Sequence, residues 1–234
     1  MAKKHTSTTY LTPFETVAGG ILLLLYLFVL PFITDGLFRA AEHLFNISIG
    51  AAARSQICYY TLFVLVLLIF YQFIGRTTGF FFSSLGNTLA TAGVGLVAFY
   101  GCNELTYRLF RVFFDSQINL SDVTISAQVD DAPRNTVLII VLLAPFIEEV
   151  LFRGYIFGWL RGRSRWAAYV LSCFLYAFLY TWSFLLGGFS LARLALALQY
   201  VIPGAVLAWS YDRAGTLWAP ILIHVTANAL ALWT

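Results

Sequence analysis

Ile57-Cys-Tyr-Tyr-Thr-Leu-Phe-Val-Leu-Val-Leu-Leu-Ile-Phe-Tyr-Gln-Phe-Ile74 holds no charged side chain, no proline and no glycine. About 20 mostly apolar residues suffice to cross the hydrocarbon core of a bilayer as a helix. In lipid the backbone must satisfy its own hydrogen bonds, and a helix does so within one segment. The rest of the chain repeats this pattern. Of its 234 residues, 60% are hydrophobic and 11% charged, whereas soluble domains carry roughly 25% charged residues. A chain this small cannot hide that much apolar surface from water. The fold class expected is all-α, a polytopic transmembrane helical bundle of about seven spans (six to eight), with no separate soluble domain.

The first span reads as Phe14 to Ile33, with Pro31 near its end. Lys3, Lys4 and the run Ile21 to Val29 resemble a signal peptide, but no small-x-small cleavage pattern follows, so this is an uncleaved span. Phe38 to Ile49 mixes Arg39, Glu42 and His43 with apolar residues and suits the interface. Ile57 to Ile74 is the second span, interrupted after it by Arg76-Thr-Thr-Gly79. The third is Leu85 to Tyr100, and its helix can continue through Glu104, Arg108 and Arg111. Ser116 to Asn135, with Asp122, Asp130, Asp131 and Pro133, reads as an exposed loop. The fourth span begins near Val137 and leaves at Arg161-Gly-Arg-Ser-Arg165. The fifth is Trp166 to Leu186, ended by Gly187-Gly188; the sixth is Leu191 to Trp209; the seventh is Leu217 to Trp233.

The net charge is +3, and the basic residues punctuate apolar runs rather than forming a nucleic-acid-binding face. Cys58, Cys102 and Cys173 are scattered and odd in number, which argues against a disulfide framework. With the N-terminus in the cytoplasm, Lys3, Lys4, Arg76, Arg161, Arg163, Arg165 and Arg213 face inward. The tight Arg161/Arg163/Arg165 cluster sets that orientation. No oligomeric state follows from these residues.

Charged residues inside spans cost about 2.5–3.5 kcal/mol each on insertion scales. The fourth span nevertheless carries Glu148, Glu149 and Arg153. Glu149 and Arg153 stand at i,i+4 and can pair. Glu148 is left without a cation, about 100° round the helix, poised to exchange a proton with water. The seventh span offers His224 and Asn228, again at i,i+4, and imidazole with carboxamide can bind a developing oxyanion. Tyr176 and Tyr180 repeat the spacing on the fifth span, where ordinary aromatic packing explains them equally well. HExxH, CxxC pairs, GxSxG and a P-loop are all missing.

Glu148-Glu149-Val-Leu-Phe-Arg153 resembles the EExxxR motif of the CAAX protease and bacteriocin-processing (CPBP) family of intramembrane endopeptidases. Leu217-Trp-Ala-Pro-Ile-Leu-Ile-His224-Val-Thr-Ala-Asn228 is similar to its HxxxN motif with the apolar lead-in. The resemblance covers Leu138 to Trp233. It implies a catalytic core over residues 136–234, preceded by N-terminal helices and a loop over residues 1–135. It also implies that Glu148 activates the attacking water, that Glu149 and Arg153 orient the helix, and that His224 and Asn228 stabilise the oxyanion. The family's intermediate FxxxH motif aligns with Tyr176 to Tyr180, so Tyr180 stands in place of its histidine. A phenol can donate a hydrogen bond but is a poor base at neutral pH.

Three readings follow. The first is an intramembrane endopeptidase in a bacterial cytoplasmic membrane, acting on a membrane-associated peptide or protein, with the bilayer as its medium and no nucleic acid partner. No cofactor is implied; Glu and His could hold a cation, but the resemblance favours a metal-independent water. The second is a non-catalytic member, a membrane scaffold or bacteriocin-immunity-type protein, motivated by Tyr180. The third is a small proton-coupled transporter, since intramembrane Glu, His and Arg also build proton relays.

Overall fold

A computed structural model describes residues 11–114, 137–186 and 191–232. The expected Ser116–Asn135 loop, the Gly187-Gly188 stop and Trp233 lie outside the described residues. Helix α1 (Pro13–Leu24) begins with a reciprocal cap: Thr12 Oγ1 accepts from Glu15 N–H, and the Glu15 carboxylate accepts from Thr12 N–H. It runs into a wide π-helical turn, π1 (Leu25–Val29), and then α2 (Leu30–Phe45). The axis bends by 80° between Pro13–Val29 and Phe32–Phe45. Pro31 sits in that break, where its missing N–H removes a helical hydrogen bond. Asn46 then ends α2 in the left-handed conformation, φ 51°.

The expected second span is shorter than its apolar run. Helix α3 (Ala51–Ile69) stops at Phe70, and α4 (Tyr71–Ser83) absorbs Arg76-Thr-Thr-Gly79, read from sequence as an interruption. The cause is tertiary. Phe70 is fully buried and packs where Gly19 of α1 has no side chain. The buried Glu15 carboxylate accepts the N–H of Phe73 at 2.7 Å and the Arg76 guanidinium at 3.3 Å, so it caps α4 as well as α1. A Cβ on Gly19 would lie 2.5 Å from Phe70 Cζ. Gly19→Ala therefore overpacks this junction and costs about 1–3 kcal/mol, measurable by denaturation in detergent; wild-type stability would contradict the packing account.

Helix α5 (Leu85–Phe114) continues through the charged residues as expected, with Arg108 Nε on Glu104 Oε1 at 2.6 Å. Its faces are reversed relative to a soluble helix. Thr88, Thr91 and Thr106 are buried, while Leu89, Val94, Val97, Leu105, Leu109 and Val112 are exposed. Small polar side chains inward and bulky apolar ones outward suit contact with lipid.

The fourth expected span is one helical run with two wide sections: π2 (Ile139–Leu143), α6 (Ala144–Glu148), π3 (Glu149–Phe157) and α7 (Gly158–Arg161). Every residue of π3 is buried, and the core is built round it. Packed about that run are α1, α3, α8 (Arg165–Leu186), α9 (Leu191–Ala214) and α10 (Trp218–Ala231).

Every described element is a helix. By length and composition, two of them can cross a membrane alone, Ala51–Ile69 and Leu85–Leu109, or three if the bent first pair is one span. The expected seven are not reached on that measure. Trp218–Ala231 is apolar but has 14 residues, and α6 with π3 carries three charges.

Candidate active site

Two neighbouring carboxylates leave the α6–π3 junction toward different partners. Glu148 is 1% exposed and Glu149 is 0% exposed. In π3 the hydrogen bonds run i→i+5, so Glu149 and Arg153 lie within a single turn. Arg153 Nη1 donates to Glu149 Oε1 at 2.9 Å, the pairing that the i,i+4 spacing predicts. The guanidinium is wholly buried and three-sided. Its Nη2 donates to the Gly204 carbonyl of α9 at 3.0 Å, and its face lies 4.6 Å from the centre of the Tyr176 ring. A Cβ on Gly204 would press on Tyr176, 3.2 Å away, so glycine keeps this approach open.

His224 comes from α10 to the same oxygen, with Nδ1 2.9 Å from Glu149 Oε1. Glu149, Arg153 and His224 are thus one buried unit, and Tyr176 stands edge-on to the imidazole at 6.0 Å. Among the described residues, no cation is bonded to Glu148. Tyr180 of α8 donates to its Oε1 at 2.6 Å, and Tyr26 of π1 donates to the same oxygen at 3.4 Å. Tyr180 is in turn stacked on Tyr200 of α9, with planes 3° apart and centroids at 4.7 Å. The second oxygens, Glu148 Oε2 and Glu149 Oε2, are buried and accept no hydrogen bond from the described residues.

Asn228 is one turn beyond His224, half-buried. Its carboxamide donates to the Ile140 carbonyl of π2 at 3.0 Å rather than to either glutamate. Among the described residues, no three His, Cys, Asp or Glu side chains are grouped to hold a metal ion.

Tyr26 belongs to no motif in the sequence. The signal was present: its hydroxyl is the one side-chain polar atom between Ile21 and Leu30. Nothing local could say that it meets a residue 122 positions away. Glu15, buried and bonded to two helices, was missed for the same reason.

Fold and cluster define a class: an all-helical chain with two or three helices long and apolar enough to cross a membrane, and a buried carboxylate bonded, among the described residues, by phenols. Comparison with known families narrows it. Residues 132–230 match the family described as Rce1-like: type II CAAX prenyl endopeptidase Rce1-like. The match covers less than half of the chain and agrees with the CAAX protease resemblance of EExxxR and HxxxN. No curated protein and no solved structure matches. The domain points to an intramembrane protease-type activity and, with the apolar helices, to an integral membrane protein.

Proposed function

We propose that this chain is an intramembrane endopeptidase in which Glu148 activates the water that cleaves a membrane-associated peptide or protein. The observation that carries this reading is the unmatched carboxylate: Oε1 is held by Tyr180, while Oε2 is buried with no hydrogen-bond partner among the described residues. A water on Oε2 gives a proton to Glu148 and attacks the scissile carbonyl carbon. The carbonyl oxygen becomes an oxyanion; as this tetrahedral intermediate collapses to the carboxylic acid, the C–N bond breaks and the proton passes from Glu148 to the leaving amine.

The Arg153-bound oxygen of Glu149 is an acceptor, so His224 Nδ1–H donates to it. The ring's other nitrogen, Nε2, is left to face the oxyanion. Arg153 keeps Glu149 in place for this task. Asn228 joins the oxyanion site when substrate exchanges for its bond to Ile140. In this reading the bundle has seven spans with the N-terminus cytoplasmic, in a bacterial cytoplasmic membrane. Residues 136–234 form the catalytic core, and residues 1–135 supply helices that flank it. The water works without a metal, and no nucleic acid takes part.

The test is hydrolysis of a panel of membrane peptides by the purified protein, with Glu148→Gln as control. Cleavage by both alike, or of no peptide by either, ends the enzymatic reading.

A second reading, a non-catalytic member that binds partners through the same cluster of residues, is favoured by one contact. The Tyr180 phenol occupies Glu148 where a histidine would help hold water. Tyr180→His should then create hydrolysis, or raise it on the order of tenfold to hundredfold, as befits a better-matched proton acceptor. An unchanged rate in an active protein would show that this position had not been disabled.

A further inference from the structure

The turn from α7 to α8 gathers charge that the buried cluster does not use. Arg161 Nε lies 2.7 Å from Asp212 Oδ1, and Arg165 Nη2 lies 2.5 Å from Asp212 Oδ2. Tyr169 also donates to Oδ2, at 3.2 Å. The Asp212 side chain is 1% exposed, while that of Arg165 is 71% exposed. The carboxylate therefore lies beneath the surface and holds two guanidinium groups, of which Arg165 is the more exposed. Arg163, between them in sequence, is held over the Trp159 ring at 4.6 Å and donates to the Trp159 carbonyl. Arg213, beside Asp212 in sequence, is exposed.

Directly below this turn, α8 presents an apolar stripe. Trp166, Val170 and Phe174, at i, i+4 and i+8, are 83%, 65% and 59% exposed. At 1.5 Å per residue the stripe is about 12 Å long. An exposed tryptophan under a row of arginines is the arrangement of a membrane interface. A free anion would use the arginines alone. An amphiphile would use both parts.

We propose that the α7–α8 turn is a binding site for an anionic phospholipid. Its phosphate sits on Arg163 and Arg165, and one acyl chain lies along Trp166, Val170 and Phe174. Each guanidinium has five N–H donors, so Arg163 and Arg165 keep donors for phosphate oxygens beyond those that Trp159 and Asp212 take. This site is separate from Glu148 and stands whether or not the chain hydrolyses peptides.

The full-length protein in nanodiscs, containing equal phosphatidylglycerol and phosphatidylcholine, tests it through the lipid retained after extraction and counted by native mass spectrometry. Phosphatidylglycerol should be retained roughly tenfold over phosphatidylcholine, the scale of one or two basic side chains at an anionic surface. R163Q/R165Q should bring the ratio to about one, with the protein still monodisperse. Should that variant fail to fold, Arg163→Gln alone carries the test, because among the described residues the Arg163 side chain is bonded to Trp159 alone; it should lower the ratio by several-fold. Equal retention of both lipids by the wild type would overturn the proposal, as would full preference in the variants. Displacement of phosphatidylglycerol by millimolar inorganic phosphate would also overturn it, since that marks a free-anion site.

Discussion

Glu148→Gln lowers peptide hydrolysis by about 10²–10⁴-fold, the usual range for loss of a positioned general base, and leaves the fold intact. The carboxamide has the carboxylate's shape and keeps an oxygen for Tyr180 and Tyr26 to bond. It cannot accept a proton from water. The companion change, Glu149→Gln, distinguishes roles: it unsettles Arg153 and His224 together, so stability falls along with rate. Wild-type rates for Glu148→Gln, in protein with an unchanged melting temperature, would remove Glu148 from the chemistry.

Arg153→Met has the largest expected effect on stability. Methionine fills part of the volume but leaves the buried Glu149 carboxylate with His224 as its one bonded partner, and the Gly204 carbonyl loses a donor. Removing one partner of a buried pair costs about 3–5 kcal/mol, because the charge that stays behind has lost its solvation. The double variant E149Q/R153M should recover part of that loss, since it removes the stranded charge. Chemical denaturation of the four proteins gives the cycle. A single variant as stable as the wild type, or a double variant worse than the sum of the singles, would show that the cluster is not held by this ion pair.

Local pattern carried some of this structure and could not carry the rest. The Glu149–Arg153 pair and the extension of α5 through Glu104 and Arg108 are i,i+4 relations, visible wherever a helix is expected. The apolar runs gave the helices and their order. The break at Phe70 was invisible, because Ile57 to Ile74 contains no helix breaker; the stop comes from Gly19 and Glu15, which are distant in sequence. The π sections were hidden too, since a wide turn is set by how neighbours pack and not by composition. In the site, the motifs named Glu148, Glu149, Arg153 and His224. Their grouping into one ion-paired unit and one phenol-held carboxylate depends on contacts between helices, such as Glu149 to His224 across 75 positions. Periodicity along one helix does not encode these.

Glu15 has a consequence for how the chain is made. Its carboxylate completes the start of the first helix, yet one of its partners, Phe73 N–H, lies 58 residues downstream. At about 5–20 residues per second, a ribosome needs roughly 3–12 seconds to supply that partner. During this interval the leading segment has a half-satisfied acid at its entrance. Only once α4 has been made can that acid join the first helix to the fourth.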